Sequence, residues 1–471
     1  MNNIIIETLT ASEKVAVMKD KRLERLLIDS KISESIVSNI YRGIVKKVLK
    51  GMNACFVDIG LEKNAYLKLS RENEDIKAGQ EIIVQVVKDE IGSKGAKLTT
   101  EISISGRYLV YIPSNDRVTM SNKIVDEKER MRLKRLFYSI NGNETGFIIR
   151  TESQGCSAVE LKKDINDLKS IYNDIKAEEK RGMGPKLLYG RKSLAIKYIR
   201  DNINNYTDKI ILNNEEQYEK IKALLKSISP DYVGKAVLEK NIDIFDIYGV
   251  DREINKCLGK KVWLKSGGYL IIEKTEALTV IDVNSGKFTG SGNLEDTSLR
   301  VNIEAAMEAA RQIMLRDIGG IIIIDFVDMY RPGNKKLLIN ELKKAFEGDN
   351  RNVTVTGMTS LGLVEIARRR EKDSMESYYL SKCRRCGCEN SEMSDIAVID
   401  KIEKEIIRMV SNTVYREANL YINSDIYDSL ASKYIDTIKK IQRKYGTKIH
   451  AIKGSNYKYF RLEGIKSDMQ K

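Results

Sequence analysis

Apolar and polar residues alternate in short runs through the first hundred or so positions. Ile4, Ile6, Val15, Val17, Leu23, Leu26 and Ile28 mark a small antiparallel sheet over 1–37, with Lys19-Asp20-Lys21 as a turn. Over 38–105 the strands come faster: 40–48 alternates, 53–60 and 64–67 come next, and 81–87 makes a further strand. Short strands broken by glycine turns predict a five-stranded OB barrel. Residues 106–190 mix the two periods, with charged helices over 125–140 and 165–181, a strand over 146–151, and Gly182-Met183-Gly184-Pro185 as a breaker. Residues 191–259 carry helices near 193–201 and 215–227 and a strand near 209–212. This segment is expected to rejoin the first sheet as one discontinuous domain.

From 260 to 378 the pattern becomes that of an α/β layer. Runs at 268–273 and 278–282 form a hairpin about Thr275-Glu276. A loop holding Gly286, Gly290 and Gly292 leads to a helix with Leu299, Ile303, Ala306, Ala310, Ile313 and Met314 on one face, stopped by Gly319-Gly320. A second apolar run, 321–324, leads to a turn at Arg331-Pro332-Gly333, a helix over 335–346, a strand at 353–355, and a basic helix over 363–372 containing Arg368, Arg369 and Arg370. Residues 379–390 hold a cysteine cluster. Residues 391–471 read as a small α/β assembly domain with helices at 396–411 and 426–445 and strands at 419–423 and 448–452.

Both apolar runs of this layer end in acid: Asp282-Val283-Asn284-Ser285-Gly286 and Asp325-Phe326-Val327-Asp328-Met329. A carboxylate that ends a strand loses hydration unless something compensates it. Asp282 and Asn284, two apart, share a face. If Asp325 ends a neighbouring strand, two carboxylates and an amide converge, the hard oxygen ligands that Mg²⁺ takes, where α/β sheets bind ligands. The plainer reading is of ordinary strand-end aspartates meeting turns. Asp328 faces away from Asp325 if the strand runs through it, and joins the site if the chain turns there.

Composition narrows the choice. The chain has 471 residues, enough for several domains, and a net charge of +14, which suits a polyanion such as nucleic acid or an anionic membrane, or else reflects lysine-rich solvated faces. No apolar stretch spans a membrane, the N-terminal residues lack a signal-peptide pattern, and six sparse cysteines are not a disulfide framework, so a cytoplasmic location is expected. There is a single histidine, His450. Histidine-based triads and pairs are thereby disfavoured, and phosphodiester cleavage would need a metal to activate water.

Other signals are local. Phe56 and Tyr66 fall on barrel strands among Lys46, Lys47, Lys63 and Lys68, with Lys94 in a cationic loop. They are either core residues or a platform on which single-stranded bases stack. Arg150-Thr151 suits a phosphate or an ordinary surface ion pair. Cys383 and Cys386 form a Cys-x-x-Cys turn with Cys388 beyond. Zinc wants four ligands and the chain has no second pair, so two protomers would complete one site; a redox dithiol and free thiols are the alternatives.

Together these residues resemble the bacterial ribonuclease E/G family over nearly the whole chain, and its short form more than the long one with a C-terminal scaffold. The similarity lies in Asn39-Ile40-Tyr41-Arg42-Gly43, Ala54–Gly60, the 278–286 strand, the 310–329 run and the Cys-x-x-Cys. It implies an RNase H-like domain (1–37 and 191–259) interrupted by an S1-type OB-fold (38–105) and a 5′-sensor region (106–190). A deoxyribonuclease-I-like catalytic domain (260–378), a zinc link (379–390) and the small domain (391–471) complete the chain. It implies that Asp282 and Asp325 ligate catalytic Mg²⁺, with Asn284 orienting Asp282 or the phosphate and Asp328 belonging to the motif. Phe56, Tyr66 and Lys94 would clamp RNA. Gly106, Val110, Arg150 and Thr151 would line a pocket for a 5′-monophosphate. The pocket's last basic position falls on Asn352, with Arg351 beside it. Cys383 and Cys386 would share Zn²⁺ with a second protomer, with Cys388 as a rival ligand.

The expected function is therefore a Mg-dependent endoribonuclease, a hydrolase cutting single-stranded RNA to 5′-phosphate and 3′-hydroxyl ends. Its substrates would be rRNA and tRNA precursors and mRNA, with a preference for 5′-monophosphorylated RNA. It would work as a homodimer or dimer of dimers. The competing expectation is a non-catalytic RNA-binding scaffold.

Overall fold

A computed structural model describes residues 2–31, 35–69, 75–90, 95–190, 193–203, 207–240, 243–286, 294–347, 349, 351–370, 374–384, 386, 388, 392–454 and 457–465. The chain divides into two units, one of residues 1–32, 204–223 and 231–471, the other of 33–203 and 224–230.

In the first unit, Asn2–Thr8, Ser12–Lys19 and Arg22–Ser30 form the expected meander. Asp20 and Lys21 both take positive φ (49° and 65°), the backbone of a two-residue hairpin turn whose twist matches the strands. Thr207–Leu212 pairs in parallel with Asn2–Thr8, and Ala236–Leu238 pairs in parallel with Thr207–Leu212. The sheet is thus completed by residues about two hundred positions later. Ile5, Ala16, Leu23, Ile211, Phe245, Val250 and Ile254 close its core.

One edge of this core holds charge instead of hydrocarbon. Lys14, Glu7, Asp400 and Lys404 are all buried. Lys14 Nζ lies 2.6 Å from Asp400 and 3.2 Å from Glu7; Lys404 Nζ lies 3.0 Å from Glu7, 3.3 Å from Asp243 and 2.7 Å from Asp251. Ser12 and Tyr378 donate to Asp400, and Thr10, Lys444 and Tyr445 to the buried Glu403. Burial alone would pull the Lys14 ammonium down, but Asp400, Tyr379 and Glu7 more than offset this and hold it well above the ordinary lysine range. The network ties the N-terminal sheet to the helix Asp395–Asn412.

The α/β layer is a six-stranded sheet in the order Lys261–Trp263, Tyr269–Lys274, Leu278–Asn284, Gly320–Asp325, Leu363–Arg368, Val353–Met358. Helices Leu294–Leu315 and Pro332–Ala345 cover one face, packing Ala305, Ala306, Ala309, Ile313, Leu338 and Leu342 on Leu270, Ile281, Ile322 and Ile324. The expected basic helix over 363–372 is instead the strand Leu363–Arg368. Val364, Ile366 and Arg368 are buried at alternate positions, and Arg368 spends its charge on Asp317 and Asp349. The single helix expected over 426–445 is two, Ser424–Lys433 and Ile435–Tyr445, separated by Tyr434 at φ −128°. The last sheet has Glu417–Asn423 between Lys448–Gly454 and Phe460–Ile465, the latter strand unforeseen.

In the second unit, Ile40–Leu49, Ala54–Asp58, Ala65–Lys68, Lys97–Thr99 and Glu81–Lys88 close into a five-stranded barrel through pairing of the first with the last. Lys186–Tyr189 adds to the first strand from outside the 38–105 segment. A four-stranded sheet (Val118–Met120, Phe147–Ile149, Leu109–Tyr111, Ile104–Ser105) packs with helices Glu127–Asn141 and Ala158–Glu179 about Phe137, Phe147, Leu133 and Ile165. Buried Arg42 donates to the carbonyls of Glu179, Arg181, Gly182 and Gly184, capping the end of the second helix. Among the described residues no helix is long and apolar enough to cross a membrane.

Removing one partner of a buried ion network leaves the others charged and unpaired. Lys14→Met is therefore expected to destabilise the first unit by roughly 3–5 kcal/mol, read as a lowered denaturant midpoint. The exposed Lys77→Met, as control, should change it little.

Candidate active site and nucleic-acid interface

Leu278–Asn284 and Gly320–Asp325 run parallel, joined through the Leu294–Leu315 helix, and their register sets Asp282 opposite Asp325. The alternation fixes which way each acid points. Ile281 and Val283 on one strand, Ile322 and Ile324 on the other, are buried against the helices. Asp282 and Asp325 therefore face the open side and are exposed. Paired positions on adjacent strands are about 5 Å apart, so the two carboxylates share one small area. The Asn284 amide donates to Asp282 Oδ2 at 2.7 Å, holding that carboxylate's orientation.

The second strand stops at Asp325. Two side chains of the connecting helix hold the segment beyond it. Asn302, fully buried, donates its Nδ2 to the Val327 carbonyl at 2.7 Å and accepts the Val327 N–H at 3.0 Å. The Glu295 carboxylate accepts the N–H groups of Tyr330 and Arg331 and the Asn334 amide, each at 2.9 Å. The first two of these bonds hold its pKa below the usual carboxylate range. Phe326 and Met329 are buried and Asp328 is exposed. So the chain turns after Asp325. Among the described residues, however, no three acids, cysteines or histidines gather as a ready metal cluster, and Asp328 does not complete one with the pair. Asn302 and Glu295 were not singled out from sequence. The available signal was two polar residues seven apart, two helical turns, on a largely apolar face.

Two carboxylates with a supporting amide are a donor set that fits Mg²⁺, which keeps several waters and takes one or two protein carboxylates beside substrate phosphate. The single histidine is elsewhere: His450 Nε2 lies 2.6 Å from Glu417 in the C-terminal sheet.

On the barrel, Phe56 and Tyr66 are cross-strand partners, 6.3 Å between centroids at 71°. Both are half-buried and stand outside the core of Tyr41, Val45, Cys55, Val57 and Leu67. Exposed Lys47 is the register partner of Phe56, and exposed Lys97 that of Tyr66. The cations in register beside the two rings are thus Lys47 and Lys97, of which the sequence pattern had pointed to Lys47. Lys94 lies outside the described residues.

Gly106 and Arg150 are brought together: Arg150 Nη1 donates to the Gly106 carbonyl at 2.6 Å. The same guanidinium is engaged by Asp201 at 3.2 Å and Glu152 at 3.4 Å. Thr151 pairs with the Ser121 hydroxyl at 2.9 Å, and Val110 lies on the strand between Ser105 and Ile148. A Cβ on Gly106 would stand 2.4 Å from Asp164, whose carboxylate accepts the N–H groups of Arg107, Tyr108 and Leu109. Glycine is required there by close approach, and the array of N–H donors already holds an anion. Arg351 is paired with Asp317 and leaves Nη1 buried without a partner. Asn352 accepts the Arg369 N–H through its carbonyl at 3.1 Å.

The cysteine turn is tight, with the Cys383 N–H on the Cys388 carbonyl at 2.8 Å. Cys386 and Cys388 Sγ are 3.0 Å apart, while Cys383 Sγ lies 3.1 Å from Glu392. The sulfurs facing each other are therefore those of Cys386 and Cys388.

A family model for the ribonuclease E/G family matches residues 103–371. Ribonuclease G of Haemophilus influenzae is 38% identical over 427 residues, 86% of this chain and 87% of that protein. Ribonuclease G of Escherichia coli K12 is 37% identical over 429 residues with the same coverage. Ribonuclease E of Haemophilus influenzae is 30% identical across 98% of this chain and 52% of its own length.

Asn302→Ala leaves both polar groups of Val327 unpaired. It is expected to cost roughly 1–3 kcal/mol in denaturant unfolding and to speed hydrogen exchange at the Val327 amide. Unchanged exchange there would show that the clamp holds nothing.

Proposed function

This chain belongs to the ribonuclease E/G family, and we propose that it is a Mg-dependent endoribonuclease cutting single-stranded RNA to 5′-phosphate and 3′-hydroxyl ends. Its substrates on this reading are rRNA and tRNA precursors and mRNA. The observation that carries the reading is the register of Asp282 against Asp325 on the open sheet face, with Asn284 bonded to Asp282. Asp282 and Asp325 hold the metal. Magnesium, when bound, would offset charge on the reacting phosphate and ease the loss of a proton from the attacking water. Asn284 fixes the Asp282 carboxylate, so that its lone pairs meet the cation without reorganising. Asn302 and Glu295 hold the 326–331 segment in place beside the strand end. The scissile strand is gripped by stacking on Phe56 and Tyr66, with Lys47, Lys94 and Lys97 on its phosphates. No histidine takes part.

A 5′-monophosphate is recognised by Arg150 with Gly106, Val110 and Thr151. The carboxylates now around Arg150 must yield part of their hold to it, which makes the preference a modest one. Cys383 and Cys386, with Cys388 as the rival for the second place, supply two thiolates per chain. Four-coordinate zinc then requires a second protomer.

Asp282→Asn should lower Mg-dependent cleavage of a single-stranded oligonucleotide by at least about a hundredfold while leaving its binding in place. Full activity in the variant would remove Asp282 from the chemistry. Binding without any metal-dependent cleavage by the wild type would favour a scaffold. For the cysteines, metal analysis should find about half a zinc per chain. Cys383→Ser should release monomers in sedimentation. One zinc per monomer would overturn sharing.

A further inference from the structure

The open face that presents Asp282 and Asp325 continues onto the edge of the same sheet. Trp263, Tyr269 and Asn284 are successive partners in register across three strands. Their side chains therefore share one face, the face of Asp282. Val262 and Leu270, at the alternate positions, pack toward the core. Trp263 is the single tryptophan of the chain and is 64% exposed. Its ring meets Tyr269 edge-on at 5.3 Å and 64°. Lys261 Nζ stands 4.0 Å from the indole centroid and 3.6 Å from the tyrosine centroid. Core packing does not account for an indole so exposed at a sheet edge.

We propose that Trp263, Tyr269 and Lys261 form a nucleotide subsite, on which one unpaired base of the RNA stacks beside the cleavage site. The proposal rests on the nuclease reading above. Three observations favour an unpaired nucleotide as occupant. The rings offer an accessible π face, which every base can use. The ammonium is flexible and can turn from the rings to the adjoining phosphate. Trp263 lies two strands from Asn284, about 10 Å, a reach that an extended strand covers within a few nucleotides. The subsite tolerates any base and requires that base to be unpaired, since a base already stacked and paired within a duplex cannot lie on the indole. It would thus select single-stranded substrate at the place of cutting.

The single tryptophan makes the test direct. A dye-labelled single-stranded RNA of about 12 nucleotides is titrated onto the full chain without divalent metal, recording anisotropy and tryptophan fluorescence together. The expected result is quenching that tracks the anisotropy curve. Trp263→Ala should weaken binding about tenfold and, with Mg²⁺ restored, raise KM more than it lowers kcat; Trp263→Phe should recover most of the loss. Lys261→Ala should lower the salt dependence of binding by about one phosphate contact. Binding with unchanged fluorescence, or Trp263→Ala binding like wild type, overturns the subsite while leaving Mg-dependent cleavage, and so the nuclease reading, intact. Quenching with no cleavage when Mg²⁺ is supplied keeps the stack and overturns the nuclease.

Discussion

The parallel register of two strands is the constraint on which the rest depends. Like charges at neighbouring positions repel, and nothing in the two acidic peptides alone would bring Asp282 beside Asp325. Hydrocarbon does it: Ile281, Val283, Ile322 and Ile324 must lie against the Leu294–Leu315 helix. A slip of one residue would turn them outward and the acids inward. The helix that makes the parallel connection possible also carries Asn302 and Glu295, which hold the chain beyond the second acid. One element therefore sets register, orientation and exit path together.

On the proposed function, grip and chemistry use different resources. The barrel presents Phe56 and Tyr66 with Lys47 and Lys97 in register beside them. The catalytic sheet presents Trp263 and Tyr269 with Lys261. Each unit thus carries a cross-strand pair of rings with lysine beside it. Both pairs are cross-strand neighbours, the positions at which a sheet brings two side chains into contact.

Much of this was legible. Acids that end apolar runs stand out, because strand interiors seldom tolerate them, and the barrel is readable from short alternating strands with glycine between. The misread segments share a cause. Arg368, Arg369 and Arg370 look like a solvated helical face, yet Arg368 is buried on two aspartates from elsewhere in the chain, and local pattern carries no trace of a partner fifty residues away. Tyr434 is an ordinary residue for a helix, so the break there had no marker. Asn302 and Glu295 were hidden in the same way, since their partners are backbone groups whose positions only the fold defines. Lys14 and Glu7 read as the polar half of an alternating strand, whereas both are buried because a helix some four hundred residues later covers them.

That last arrangement bears on how the chain is made. Synthesis proceeds from the N-terminus at roughly 5–20 residues per second. The 388 positions from Ser12 on to Asp400 then take on the order of 20–80 s. Until Thr207–Leu212 emerges, the strand Asn2–Thr8 has an unpaired edge. Until Asp395–Asn412 emerges, Lys14 and Glu7 have no cover. The barrel and its neighbouring sheet draw nearly all their contacts from one contiguous stretch and can form in the meantime. Residues made early are among the last to be satisfied, so a chain released before Thr207–Leu212 carries an open sheet edge where the finished protein has a paired strand.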